Sequence, residues 1–76
     1  MSSLTEAKTD TTYIIRAIQA NHQLEKRLFH LGFFMGQKIR VLARAPFSGP
    51  FIILTESGDK IALRKEEASS IQVTLS

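Results

Sequence analysis

Apolar residues recur at helical spacing between Asn21 and Leu31, with Leu24, Leu28 and Leu31 at i, i+4 and i+7. That spacing lines three leucines along one stripe of an amphipathic helix. Asn21 is suited to its N-cap, because its side-chain oxygen can accept from an orphan amide of the first turn. Gly32 ends the helix, since a left-handed residue after the last turn is least strained as glycine. Phe33 and Phe34 follow as apolar mass that can fold back over the end of the leucine stripe. Met35-Gly36 forms a second turn, and from Gln37 onward the period switches from 3.6 to 2.

The flanking segments read as strands. Thr11 to Ile18 is rich in β-branched and aromatic residues and alternates poorly, as expected of a strand covered on both faces. In Lys38 to Arg44, Ile39, Val41 and Ala43 alternate with Lys38, Arg40, Leu42 and Arg44, which predicts a half-exposed strand with a basic outer face. Pro46-Phe47-Ser48-Gly49-Pro50 must be a loop. Phe51 to Thr55 and Lys60 to Arg64 make a hairpin around Ser57-Gly58-Asp59. Lys65 to Ala68 has the mixed charge of a surface helical turn, and Ile71, Val73 and Leu75 alternate in a closing strand. The expected fold is mainly β with one or two short helices. About five strands close into a small, strongly bent barrel with the helix packed at one end, which removes exposed strand edges. Residues 1–10 carry no period. Leu4 and Ala7 could form a turn packed on the body, but fraying is the default for an unanchored terminus, so the domain is assigned to 11–76.

Composition narrows the function classes. With 76 residues the chain is a single domain, at a size where one core supplies only ~3–5 kcal/mol of net stability. A hydrophobic content of 43% excludes a disordered chain. No apolar run approaches the ~20 residues that span a bilayer, and no signal peptide is evident in the polar amino-terminal stretch. The absence of cysteine excludes disulfides, thiolate zinc sites and a cysteine nucleophile. A cytoplasmic location is expected. A net charge of +3 is a mild bias, because ten basic residues are dispersed among seven acidic ones.

The chemical inventory is thin. His22 and His30 lie ~12 Å apart by helical rise, too far to share a metal. Asp10, Asp59 and the Glu66-Glu67 pair have no histidine or nucleophilic serine beside them in sequence and read as solvated charges. Gly32 and Gly36 follow a helix, whereas a phosphate cradle precedes one. No catalytic, cofactor-binding or metal-binding residue is therefore assigned. Lys38, Arg40 and Arg44 share one strand face, and Lys60 and Arg64 another, so a cationic ridge could meet nucleic acid. Strand-binding barrels interleave aromatics with such residues, however, and Leu42 is the only apolar residue interleaved on the first face. Phe47 between two prolines is a better anchor for a protein pocket, although it could equally fold over the barrel end as a cap. The candidate partner-binding residues are Arg44, Pro46, Phe47, Ser48 and Pro50. An adaptor for proline-rich peptides would need an aromatic groove, poorly supplied by one tyrosine and no tryptophan.

The run L-x-x-x-L-x-x-L-G-F-x-x-G-x-x-I-x-V-x-x-x-A-P from Leu24 to Pro46 resembles the FeoA family. The likeness continues through Gly49-Pro50, Ile61 to Arg64 and Ala68-x-x-Ile71-x-Val73, covering residues 13 to 75. Met35 stands where that pattern often has proline, and Thr9-Asp10 where it often begins with a proline-glycine turn. The resemblance implies an SH3-like barrel and a small bacterial cytosolic protein of ferrous iron uptake. Its implied partner is the cytosolic region of the membrane transporter FeoB, which carries a G domain, and it would be recruited through that partner to the inner face of the membrane without inserting. Iron and GTP would be handled by the partner. The same barrel occurs in iron-dependent repressors, but no helix-turn-helix pattern is present here. A nucleic-acid-binding barrel is the alternative function, and unpaired edge groups leave a homo-oligomer open.

Overall fold

The computed structural model describes residues 1–47 and 49–76. The elements in chain order are β1 (Ser2–Ser3), a 3-10 turn (Leu4–Glu6), β2 (Thr12–Ile18), α1 (His22–His30), β3 (Lys38–Arg44), β4 (Phe51–Leu54), β5 (Lys60–Leu63), α2 (Lys65–Ser69) and β6 (Ile71–Leu75). All strand pairs are antiparallel, and the six strands form one sheet in the order β1-β6-β2-β3-β4-β5.

The expected barrel and the expected fraying of residues 1–10 require correction. The expected closed barrel of about five strands is an open six-stranded sheet with two helices: β1 and β5 are its edges, and among the described residues no ladder joins them. The sixth strand comes from the segment expected to fray. Ser2 and Ser3 pair with Val73 and Gln72, and Leu4 and Ala7 are buried. Two further contacts fasten this segment, since the Lys8 amide donates to the Tyr13 hydroxyl at 2.9 Å and the Asp10 amide to the Val41 carbonyl at 2.7 Å. A two-residue polar strand has no period to detect; its anchor is the single leucine that follows it.

The leucine-stripe reading of α1 is met by burial of Leu28, with Leu24 and Leu31 packed at the core's edge. The Asn21 side chain accepts from the Leu24 amide at 2.8 Å. At the other end, Gly32 has φ +104, its amide bonds to the Phe29 carbonyl, and the Phe33 amide reaches the Leu28 carbonyl at 3.0 Å. This is a Schellman stop, with Phe33 placed to contact Leu28. Phe33 is accordingly buried in the core with Ile15, Ile39, Val41, Ile53, Leu63 and Val73.

Alternation in β3 fails after Val41. Val41 pairs with Ile53 but Ala43 with Ile52, so Leu42 is the extra residue of a bulge, and Ala43, expected inside, is exposed. A bulge shifts every later side chain by one place relative to the pleat. Glu67 is a further departure. Rather than a solvated charge, it is buried, accepting from the Arg64 amide at 2.9 Å and from Arg27 Nε at 2.7 Å. It joins α1 to the start of α2.

Candidate functional site

The loop selected from the sequence is closed by the Ala45 amide donating to the Pro50 carbonyl at 3.0 Å and by Gly49 donating to Pro46 at 3.2 Å. At its tip Phe47 is 99% exposed and has φ +57. A bulky residue in the left-handed region is strained, and strain of that kind collects at functional positions. Phe47 is therefore not a cap over the sheet but a projecting ring. Pro46 and Pro50 are exposed on either side, and Ser48 lies outside the described residues.

Arg44 belongs to the scaffold. The bulge at Leu42 turns it toward the amino-terminal segment, where Nη2 donates to the Thr5 carbonyl at 2.8 Å and Nη1 to the Ala7 carbonyl at 3.2 Å. Its guanidinium also lies 5.4 Å from the centre of the Phe51 ring, within range of a cation–π contact. Of the five residues chosen from sequence, the structure thus leaves Pro46, Phe47 and Pro50 as exposed loop residues and gives Arg44 a structural role.

The proposed cationic ridge loses Arg44 in the same way. Arg40, Leu54 and Lys60 are register partners across β3, β4 and β5, so they share the outer face of the sheet. The apolar residues on that face, Ile52 and Leu54, are aliphatic and offer no stacking platform for bases.

A second surface lies apart from the partner-binding residues that the sequence pattern marks. Between α1 and the Gly32–Gly36 turn lies an open groove of about 730 Å³, lined by buried Phe33 and half-buried Ile18. Its walls include Phe29, 66% exposed, Phe34, 48% exposed, and Met35, 66% exposed. Phe34 therefore does not fold back with Phe33. His22, Lys26, His30 and Glu25 also border it. The available signal was Phe29, a large apolar residue ~100° off the leucine stripe, together with a methionine placed at a glycine turn.

The turn that carries Phe34 and Met35 is held from below. Gln37 is 2% exposed, its Nε2 donates to the Gly32 carbonyl at 2.8 Å, and its Oε1 accepts from the Phe34 amide at 3.4 Å. The Gly36 amide bonds to the Ile15 carbonyl at 2.7 Å, and the Ile15 amide to the Gln37 carbonyl at 2.9 Å. The turn is thereby continuous with β2.

Among titratable groups, Glu67 stands out. Burial pushes its carboxyl up, but the Arg64 amide, the Arg27 guanidinium and the charge of Arg64 outweigh that and hold it below the usual carboxylate range. Among the described residues no cluster of three His, Cys, Asp or Glu side chains could hold a metal, and no helix is long and apolar enough to cross a membrane.

Comparison with known proteins places this geometry. The profile of the FeoA domain matches residues 2–75. The NMR structure of a FeoA-like protein from Clostridium acetobutylicum superimposes with a TM-score of 0.85 at 23% identity, covering 97% of this chain and 85% of that one. A crystal structure of an iron uptake regulatory protein, FeoA, gives 0.85 at 30% identity, covering 93% and 92% of the two chains. A manganese-dependent transcriptional repressor in complex with manganese gives 0.87 at 26% identity over 96% of this chain, but only 35% of the repressor. No protein with a curated description matches the sequence.

Proposed function

Since the chain belongs to the FeoA domain family, we propose that it is a non-enzymatic accessory and regulatory protein of bacterial ferrous iron uptake that docks on the cytosolic region of FeoB. It works in the cytoplasm and reaches the inner face of the membrane through that partner. The observation that carries this reading is Phe47, a fully exposed aromatic held in a strained, doubly closed turn between two prolines. An aromatic already fixed in position gives a partner pocket large apolar area with little ordering entropy left to lose. Iron and GTP are handled by the transporter.

The test is an affinity pull-down with tagged chain from nuclease-treated, detergent-solubilised membranes of iron-starved cells. Enrichment of FeoB that is lost with Phe47→Ala supports the reading and the site. Recovery of no transporter counts against both, and retention of nucleic acid when nuclease is omitted would favour the basic outer face instead.

A further inference from the structure

We propose that the groove between α1 and the Gly32–Gly36 turn is a second docking surface, and that it receives a protein segment presenting a large apolar side chain flanked by carboxylates. This rests on the transporter reading above and extends it from a one-point contact to a two-point one, since the groove and the Phe47 loop share no residue.

Three features support it. Phe29 and Met35 are each about two-thirds exposed (66%) and face a common groove with Phe34. A contiguous apolar patch of this kind marks an interaction site more often than scattered exposed residues do. The groove is also preorganised. The buried Gln37 amide is committed to the turn at both ends, and the Gly36 amide is tied to β2, so the wall bearing Phe34 and Met35 needs little ordering when a partner arrives. The border then selects the partner. His22, Lys26 and His30 bring N–H donors to the rim against the single carboxylate of Glu25. A segment with an apolar anchor and neighbouring Asp or Glu is the complement of that arrangement, and an apolar anchor flanked by Lys or Arg is not.

The experiment titrates full-length FeoB in phosphatidylcholine nanodiscs with the wild-type chain and with Phe29→Ser/Met35→Ser, Lys26→Glu and Glu25→Lys. Protein-free vesicles of phosphatidylglycerol and phosphatidylcholine run in parallel. All substituted residues are exposed, and circular dichroism confirms folding. The expected result is loss of affinity of about tenfold or more for the double variant, as for a central apolar anchor. Lys26→Glu should weaken binding and Glu25→Lys strengthen it. A photo-crosslinker at Met35 should capture a FeoB peptide with an apolar residue beside carboxylates. Wild-type binding that the double variant leaves unchanged overturns the groove while the transporter reading stands. No binding by wild type removes both. Binding to the anionic vesicles that the double variant abolishes assigns the patch to lipid and overturns the protein-segment proposal.

Discussion

Gln37 Nε2 lies 2.8 Å from the carbonyl oxygen of Gly32, so one buried side chain ties the C-terminal stop of α1 to the first residue before β3. The turn between them displays Phe34 and Met35, and this bond, with the one its Oε1 accepts from the Phe34 amide, supports the turn from below. Gln37→Ala should destabilise the domain by about 1–3 kcal/mol, the usual penalty for orphaning buried partners. Urea unfolding reads the loss. A midpoint equal to wild type would show that the turn is held by its backbone bonds, to Ile15 and from the Gln37 amide to the Phe34 carbonyl.

Leu28→Ala tests the core. Leu28 is fully buried beneath the helix stop, and truncation of such a leucine costs about 2–5 kcal/mol. In a domain whose net stability is ~3–5 kcal/mol, that is enough to populate the unfolded state. A thermal melt should show a large drop in Tm or no cooperative transition.

Arg44→Ala separates scaffold from contact. Its two donated bonds end on the Thr5 and Ala7 carbonyls, and losing charged bonds of this kind should cost on the order of 1–3 kcal/mol. Faster hydrogen exchange at the amides of residues 3 to 8 is expected, because the amino-terminal segment loses its clamp. Unaltered exchange would mean that burial of Leu4 and Ala7, pairing with β6 and the bond to the Tyr13 hydroxyl hold the segment without it.

Glu67 gives the stability a pH dependence. Its carboxyl titrates lower in the folded chain than when unfolded, so its stabilisation is complete above the ordinary carboxylate range. It is lost as pH falls through the lower, folded value. Glu67→Gln should therefore be less stable than wild type at pH 7, with the difference shrinking under acid. Urea midpoints of both proteins between neutral and acid pH check the sign, and a gap that widens on acidification would contradict it.

Phe47 should show a trade between stability and binding. At φ +57 an L-residue carries roughly 1–2 kcal/mol of strain, and asparagine tolerates that region better. Phe47→Asn is expected to hold or raise the melting temperature while lowering recovery of FeoB. Lower stability would mean that the ring packs on the loop.

What could be read from the sequence was what repeats. The Leu24-Leu28-Leu31 stripe, the Asn21 cap, the Gly32 stop and the alternating strands all carry a period or a turn chemistry, and each is found where expected except the end of β3 beyond Val41. What escaped depends on contacts between distant residues. Ser2–Ser3 becomes a strand only because β6 offers it an edge, and the bulge at Leu42 is visible only in the register with β4. Glu67 reads as solvated in the sequence because its partner, Arg27, is forty positions away. For the candidate surfaces, Phe47 stood out by its prolines, whereas Phe29, Phe34 and Met35 become a groove only once the glycine turn folds beside α1.

Uptake of radiolabelled Fe(II) bears most directly on the central claim, in cells lacking this gene and complemented with wild-type chain or with Phe47→Ala expressed to the same level. Docking on the transporter predicts that deletion lowers uptake, wild type restores it and the folded variant does not. Uptake unaffected by deletion, or restored equally by Phe47→Ala, would contradict it.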